Sequence, residues 1–452
     1  MSTRKYFGTD GIRGRTGQFP ITADFALKLG WAVGKVLAQD GHGKVLIGQD
    51  TRVSGHMLSA ALEAGMTASG LDVFLLGPMP TPGVAYLTRS LGAHIGVVVS
   101  ASHNPYYDNG IKFFNSDGKK LPELTEGQIE TLLDQPFETV NNQDIGKQNY
   151  LKDAAGRYIE FCKQCFAKQL DLRGIKIVID CANGATSHIA PHVFTELGAD
   201  VIAMHHQPDG FNINEQCGST YPQSLQQAVL SHQAEMGIAF DGDGDRLLLV
   251  DHKGELVDGD EILYLIARYS QPQLQGGVVG TLMSNLGLEQ ALAELDIPFA
   301  RANVGDKYVL SKLDEHNWTL GGENSGHIIC LDQTSTGDGI VAALQVLKIL
   351  CEKDDSLHIL KQGMTKFPQL LKNVKVAQPR DMIQHPVIQK AVQQAEQTLQ
   401  NKGRILLRPS GTEPLIRVMA EGEDLSIIDL VTNSLVDVVT QVSQTRAKVV
   451  GD

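Results

Sequence analysis

Three stretches of this chain repeat one order of events, and that order limits the folds open to it. KVLIGQDTR, from Lys44, is an apolar run that ends in polar residues; a helix-like stretch follows, then LDVFLL from Leu71. KIVIDCANGA from Lys176 leads in the same way to ADVIAM at Ala199, and VVGTLMSN from Val278 leads to IPFARA at Ile297. Strand, polar loop, helix and strand in succession is the βαβ unit, which builds parallel sheets covered by helices. Three copies predict three related mixed α/β domains. A length of 452 residues agrees with three to four domains, and a hydrophobic content of 42% supplies their cores.

The polar segment Asn141 to Asn149 sets the first boundary, giving a domain over 1–150. The second domain, 151–257, ends near Asp258-Gly259-Asp260, ahead of a helix from about Glu261; the third, 258–367, ends near Phe367-Pro368. Beyond Pro368 the repeat stops. LLKNVKVA, a helix-like region from Pro386 to Gln400, two strand-like runs around a tight loop in GRILLRPSGTEPLIRVMAEG, and a helix to about Val442 predict a smaller α+β domain over 368–452. The fold class is therefore α/β, with a C-terminal α+β domain.

Charge and composition exclude several functions. Asp and Glu number 52 against 39 Lys and Arg, a net charge of −13, so no basic face for nucleic acid is expected. Met1 to Gly14 lacks the apolar core of a signal peptide. No apolar run approaches the roughly 18 residues that span a membrane, so no membrane partner is expected. Six cysteines are ordinary cytosolic usage. Cys162 and Cys165 form a lone CxxC within RYIEFCKQCFAKQL, which reads as helix packing rather than a metal site.

Four polar loops carry the candidate chemistry. In GVVVSASHNP, Gly96 to Pro105, a β-branched run stops abruptly at Ser100, which puts the Ser102 hydroxyl where open α/β sheets gather their chemistry. Taken alone, it reads first as a Ser-rich turn without chemistry, and only the other polar loops shift that reading. In AFDGDGDR, Ala239 to Arg246, glycines let Asp241, Asp243 and Asp245 converge, and converging carboxylates call for a hard cation such as Mg2+. An EF-hand fails, because Arg246 and His252 stand where its Gly and Glu belong. LGGENSGHI, Leu320 to Ile328, offers Glu323, Ser325 and His327 to sugar hydroxyls. LRPSGTEPLIR, Leu407 to Arg417, offers Arg408, Ser410, Thr412, Arg417 and the backbone around Gly411 as donors to phosphate. FGTDGIRGRTG, Phe7 to Gly17, holds a tight backbone around Asp10 and Arg13 but follows no strand, so it is not a dinucleotide fingerprint. A hydroxyl nucleophile, a cation site, a sugar clasp and a phosphate nest are together the parts of phosphoryl transfer.

SASHNP, DGDGDR, GENSGH and RPSGTEP, in that order, resemble the four signature loops of the α-D-phosphohexomutase family. FGTDGIRG and DNGIKFF, Asp108 to Phe114, extend the resemblance over nearly the whole chain. Length and the GGENSGH form are most similar to the bacterial branch that interconverts glucosamine 6-phosphate and glucosamine 1-phosphate, on the route to UDP-N-acetylglucosamine and the cell envelope. The resemblance implies four domains around a central cleft, a cytoplasmic homodimer and a small sugar phosphate as substrate. It also implies one Mg2+ per chain and a glucosamine 1,6-bisphosphate that serves as intermediate and activator. Residue by residue, it implies that Ser102 carries the transferred phosphate and that Asp241, Asp243 and Asp245 hold Mg2+ together with a phosphoserine oxygen. Arg246 then sits beside the metal, while Arg13, His103 and Lys112 stabilise charge or move protons. Glu323 and Ser325, with His327, bind the sugar; Arg408, Ser410, Gly411, Thr412 and Arg417 hold the phosphate that is not reacting.

Phosphomannomutase or phosphoglucomutase chemistry within the same family is the nearest alternative. A sugar phosphatase needs no distal nest, because hydrolysis requires no reorientation. A non-catalytic sugar-phosphate binder needs neither Ser102 nor three acids. A serine hydrolase lacks its GxSxG elbow.

Overall fold

The computed structural model describes residues 5–37, 43–271, 273–400, 402–409 and 414–450. They group into two compact units, Met1–Thr281 with Ile297–Gln362, and Leu282–Asp296 with Gly363–Asp452. The first unit holds sheets of six, five and four strands, and the second a three-stranded sheet.

The three predicted repeats fold alike. Lys44–Gln49 pairs in parallel with Asp72–Pro78, Lys176–Asp180 with Asp200–Met204, and Val278–Thr281 with Phe299–Ala302. On its other side, the first strand of each pair takes a third parallel strand: Ile95–Val99, Met236–Phe240 and Leu320–Gly322 respectively. A fourth strand then returns antiparallel to the third: Asp108–Asn115, Leu247–Asp251 and Ile328–Cys330. The loop between third and fourth strands is thus topologically equivalent in all three sheets. It carries SASHNP in the first, DGDGDR in the second and GENSGH in the third. The sheets differ at their edges: the first adds Ile12–Arg15 and Gln148–Tyr150, the second Leu256–Val257.

Burial fixes these loops in place. All five residues of Ile95–Val99 are buried, and Val97, Val98 and Val99 are wholly so. Burying each valine contributes ~1.5–3 kcal/mol, so the strand end that presents Ser100 and Ser102 is anchored by its own side chains. An amphipathic helix runs over Ala23–Leu37. Gly259–Tyr269 starts where the Asp258-Gly259-Asp260 signal put it, because Asp258 and Glu261 form a capping box. Cys162 lies on the buried face of Ala154–Gln164, with Cys165 just past its end, where burial pushes the Cys165 thiol up to about 12.

In the second unit, Leu415–Gly422 pairs antiparallel with both Gln369–Lys375 and Gly403–Pro409. The helices Pro386–Leu399 and Leu425–Val450 contribute Ile388, Leu399, Ile428, Val431 and Leu435 to one core with that sheet. Leu425–Val450 runs beyond the expected end near Val442, since no Gly or Pro stops it before Gly451. By length and composition its stretch Leu425–Thr445 is apolar enough to cross a membrane, which departs from the expectation that no such run exists. Ile428, Val431, Leu435 and Val439 nevertheless recur as a helical stripe packed into the domain core. Asn285 caps Leu286–Ala293, and its amide exchanges hydrogen bonds with the backbone N–H and C=O of Phe367, both at 3.0 Å. Inside the third repeat by sequence, that helix groups by contact with the C-terminal unit.

Candidate active site

Ser102 turns back from the end of Ile95–Val99 with φ of 54°, a left-handed conformation uncommon for a residue with a side chain. That turn aims its Oγ at the second sheet, where it donates to Asp241 Oδ2 at 2.5 Å. His103 Nδ1 lies 3.1 Å from the same Oγ. Burial, then the nearby Arg246 and Arg13 guanidinium groups, push His103 down to about 4, so its ring is neutral at pH 7.

Asp241, Asp243 and Asp245 converge as predicted, all buried, with carboxylate oxygens within 4.8 Å of one another. The loop that brings them together is also the turn of the hairpin Met236–Phe240/Leu247–Asp251. Asp241 is pushed well up by burial and by its two acidic neighbours. Asp243 Oδ2 accepts from Lys112 Nζ at 2.8 Å and from Thr81 Oγ1 at 2.6 Å. Burial raises Asp245, but Lys112, His327 and Arg246 outweigh it and hold that carboxyl well below the usual range. The Oδ1 atoms of Asp243 and Asp245 are buried and have no hydrogen-bond partner among the described residues. Orphaned carboxylate oxygens beside a third carboxylate are a donor set that fits Mg2+, a hard cation bound through oxygen.

Around this cluster six charged groups close a ring of alternating sign. Lys112 Nζ lies 3.3 Å from Asp245 and 3.2 Å from Asp10. Lys120 pairs with Asp10 and, at 2.5 Å, with Asp306. His327 completes the ring, 3.7 Å from both Asp306 and Asp245. Burial lowers His327, but Asp245, Asp306 and Glu323 outweigh it and raise its pKa to about 9, so it is a cation at pH 7. Arg13 pairs with Asp10, and the Arg246 N–H donates to Asp241 Oδ1 at 3.2 Å. Asp10 sat in the FGTDGIRG stretch without an assigned task. Lys120, bridged to Phe114, and Asp306, which opens the helix Asp306–His316, gave no sequence signal, because each is a single charge in a polar stretch.

A cavity of about 480 Å3 opens over the ring and is lined by Arg13, Ser102, Asp245, Arg246, Glu323, Ser325 and His327. Glu323 is buried and fixed by the Gly305 N–H, which donates to its Oε1 at 2.9 Å. Ser325 is exposed at the tip of its turn. The structure therefore gathers Arg13, Ser102, His103, Lys112, Arg246, the three aspartates, Glu323, Ser325 and His327 at one place.

In the C-terminal unit, Arg408 and Arg417 stand directly opposite each other on Gly403–Pro409 and Leu415–Gly422. Both Nε atoms are buried and without a hydrogen-bond partner among the described residues. Burial and the Arg417 charge lower the Arg408 pKa. Ser410, Gly411 and Thr412, expected in the same nest, lie outside the described residues.

The chain matches the phosphoglucomutase/phosphomannomutase family in four regions: residues 4–139 its alpha/beta/alpha domain I, 156–254 domain II, 258–367 domain III and 371–438 its C-terminal domain. It is 61% identical over 422 residues to the phosphoglucosamine mutase of Aeromonas salmonicida, covering 93% of this chain and 95% of that one. To the phosphoglucosamine mutase of Edwardsiella ictaluri it is 58% identical over 445 residues, 98% of this chain and all of the other. Among solved structures, a phosphoglucomutase/phosphomannomutase family protein from Burkholderia thailandensis superposes with a TM-score of 0.80 at 23% identity, covering 98% of each chain. The N-acetylphosphoglucosamine mutase of Aspergillus fumigatus, solved with GlcNAc-6P and magnesium, gives a TM-score of 0.68 at 19% identity over 98% of this chain and 96% of that one.

Proposed function

The chain belongs to the α-D-phosphohexomutase family, and within it to the phosphoglucosamine mutases, isomerases of glucosamine phosphates; from that premise we propose how its site performs the exchange of glucosamine 6-phosphate and glucosamine 1-phosphate. Ser102 carries a phosphoryl group in the resting enzyme and gives it to the free hydroxyl of the bound monophosphate. The new P–O bond forms as the Ser102 Oγ–P bond breaks, the sugar hydroxyl gives up its proton, and Ser102 Oγ regains one. His103, neutral and 3.1 Å from that oxygen, is in reach to hold or return the proton. The product is glucosamine 1,6-bisphosphate, which turns and returns its other phosphate to Ser102.

Asp241, Asp243 and Asp245, with a phosphoserine oxygen, would hold one Mg2+ per chain, which supplies charge neutralisation to the transferring group. Lys112, Arg13 and Arg246 add fixed positive charge around it. Glu323 accepts from the sugar's hydroxyl or ammonium group, Ser325 lines the ring edge, and cationic His327 faces the same cavity. Arg408, Ser410, Gly411, Thr412 and Arg417 hold the non-reacting phosphate, a reading supported by the unpaired Nε atoms of the two arginines. Four domains, 1–150, 151–257, 258–367 and 368–452, are supported by the four matched regions. A cytoplasmic setting is supported by six free thiols. A homodimer and a place in peptidoglycan-precursor synthesis rest on the family resemblance.

One observation carries this reading: the Ser102 hydroxyl, 2.5 Å from Asp241, stands in a buried three-carboxylate cluster at the floor of the cavity that Glu323 and His327 line. Its test is an assay on glucosamine 6-phosphate that follows isomerisation and inorganic phosphate together. Isomerisation without matching phosphate release is expected, whereas stoichiometric release points to a phosphatase. Across glucosamine, glucose and mannose 6-phosphates, kcat/KM is expected to be highest for the amino sugar. A site that hydrogen-bonds a polar substituent discriminates through it, and a hexose phosphate that wins moves the chain to a sister activity.

A further inference from the structure

The left-handed backbone of Ser102 is held in part by groups outside the four signature loops, Arg52 and Asn214. Its carbonyl oxygen accepts from Arg52 Nη2 at 3.1 Å and from Asn214 Nδ2 at 2.9 Å. The same two donors reach the Asn104 carbonyl, Asn214 at 3.0 Å, so they bracket the turn on both sides of His103. The Ser102 N–H donates to Ser100 Oγ at 2.9 Å. Asp50 pairs with Arg52, and both side chains are wholly buried. Asp50 thus reaches the Ser102 C=O through Arg52, while Ser100 holds the Ser102 N–H. The third wall is Gly242, between two metal-binding aspartates: a Cβ there would lie 2.6 Å from the Ser102 carbonyl oxygen and 2.8 Å from Asn214 Nδ2.

We propose that Asp50, Arg52, Asn214 and Gly242 form a cradle of positioning residues that fixes the Ser102 peptide, so that Oγ keeps its aim at the Asp241 cluster through both halves of the reaction. The inference rests on the reading of Ser102 as the phosphoryl carrier. A buried Arg–Asp pair is a costly way to close a turn, since both charges leave water. Held in an uncommon backbone conformation, Ser102 meets the requirement of phosphoryl transfer that the reacting oxygen be placed before the substrate arrives. Arg52 and Asp50 come from the turn after Lys44–Gln49, and Asn214 from the loop before Gly218–Thr220, so the cradle joins the first and second repeats.

Asn214→Asp tests the cradle, because it keeps side-chain size and tolerance of the left-handed backbone but turns two donors into acceptors facing carbonyl oxygens. The expected result is a kcat lower by about 10–100-fold, with KM for glucosamine 6-phosphate within about twofold of wild type and an unchanged melting temperature. Asn214→Gly, which loses the donors without strain, should lose kcat in the same direction even if Asn214→Asp folds poorly. Arg52→Lys, which keeps charge beside Asp50 but cannot span both carbonyls, should lie between Asn214→Gly and wild type. Wild-type kcat per folded molecule in both Asn214 variants overturns the proposal, as does a loss confined to KM. Ser102→Ala, run alongside, separates the two readings. Isomerisation by Ser102→Ala sinks the phosphoserine mechanism itself, whereas a silent Ser102→Ala with fully active Asn214 variants sinks only the cradle.

Discussion

Among the described residues, the reacting end of this enzyme leaves buried carboxylate oxygens of Asp243 and Asp245 without a partner beside unpartnered nitrogens of Arg13, Arg246 and His327, whereas at the Arg408–Arg417 strand pair the buried unpartnered atoms are arginine nitrogens alone. Asp243 Oδ1 and Asp245 Oδ1 are orphaned even though Lys112 and His327 stand close by. Arg408 Nε and Arg417 Nε are orphaned across a strand pair that sets like charges face to face. The first place sets acids that fit a cation beside cations that fit an anion; the second offers cations alone. The reacting end is additionally balanced by its own ring of lysines, histidine and acids, which holds every side chain in one arrangement. The distal pair has no such ring among the described residues. Under the proposed mechanism this difference matches two tasks, since transfer needs one fixed geometry while a phosphate-holding loop would have to accept either end of a sugar that turns.

The largest expected effect lies at the acid end. Asp243→Asn keeps the shape of the loop but removes one of three converging charges. It should lower kcat by about a thousandfold or more, in line with the several kcal/mol that metal-assisted charge stabilisation supplies. Excess EDTA should abolish turnover in wild type. Full activity after either treatment would erase the contrast between the two ends. Removing a cation should then have opposite consequences for stability at the two places. Lys112→Met strands Asp10, Asp243 and Asp245 in a buried site, and denaturant unfolding should show a loss of about 3–5 kcal/mol. Arg417→Met relieves like charges directly opposite, so its stability should be unchanged or higher by up to about 1 kcal/mol. Equal losses in both would show that the distal arginines are as internally paired as the lysine.

For catalysis, Arg417→Ala removes one charge-assisted phosphate contact, worth about 1.5–3 kcal/mol. Steady-state kinetics should show a higher KM, a slower overall reaction and bisphosphate released into solution. If none of these moves, the distal loop binds something else. An effect confined to one pH window comes from a buried carboxylate bonded to neutral partners. Asp338, bonded to Tyr158 and the Val341 N–H, is pushed up to about 6 by burial. Its raised pKa means the folded state holds a proton that the unfolded state has released. Stability from this group is therefore full at low pH and is lost as pH rises from the ordinary carboxylate range through about 6. Asp338→Asn should gain roughly 1–3 kcal/mol on wild type across that window, read from urea unfolding at several pH values. A difference that stays flat with pH would mean Asp338 ionises freely despite its burial.

Much of the reacting end was legible because its parts are local. Asp241, Asp243 and Asp245 are consecutive alternate residues after an apolar run, and Ser102 closes another such run. The same periodicity disclosed that Lys44–Gln49, Lys176–Asp180 and Val278–Thr281 each begin a parallel pair. What escaped was made by contacts between distant segments. Asp10, Lys120 and Asp306 meet only because the first and third sheets bring their loops together, and in its own stretch none of the three charges shows the others. Arg52 and Asn214 were silent for the same reason, since their hydrogen bonds run to carbonyls 50 and 112 residues away along the chain. The grouping of Leu286–Ala293 with the C-terminal unit brings contacts that no helical pattern encodes, among them the Asn285–Phe367 pairing and the Arg404 hydrogen bond to the Ser284 carbonyl.

The central claim is that the phosphoryl group passes from Ser102 to the sugar and back. It is tested most directly by phosphorylating the enzyme with radiolabelled phosphate, mapping the label, and mixing it with glucosamine 6-phosphate in a single turnover. The label should start on Ser102, appear first in glucosamine 1,6-bisphosphate and only then in the monophosphates, with little inorganic phosphate. Label that stays on the protein while isomerisation proceeds, or that leaves as inorganic phosphate, would contradict the account.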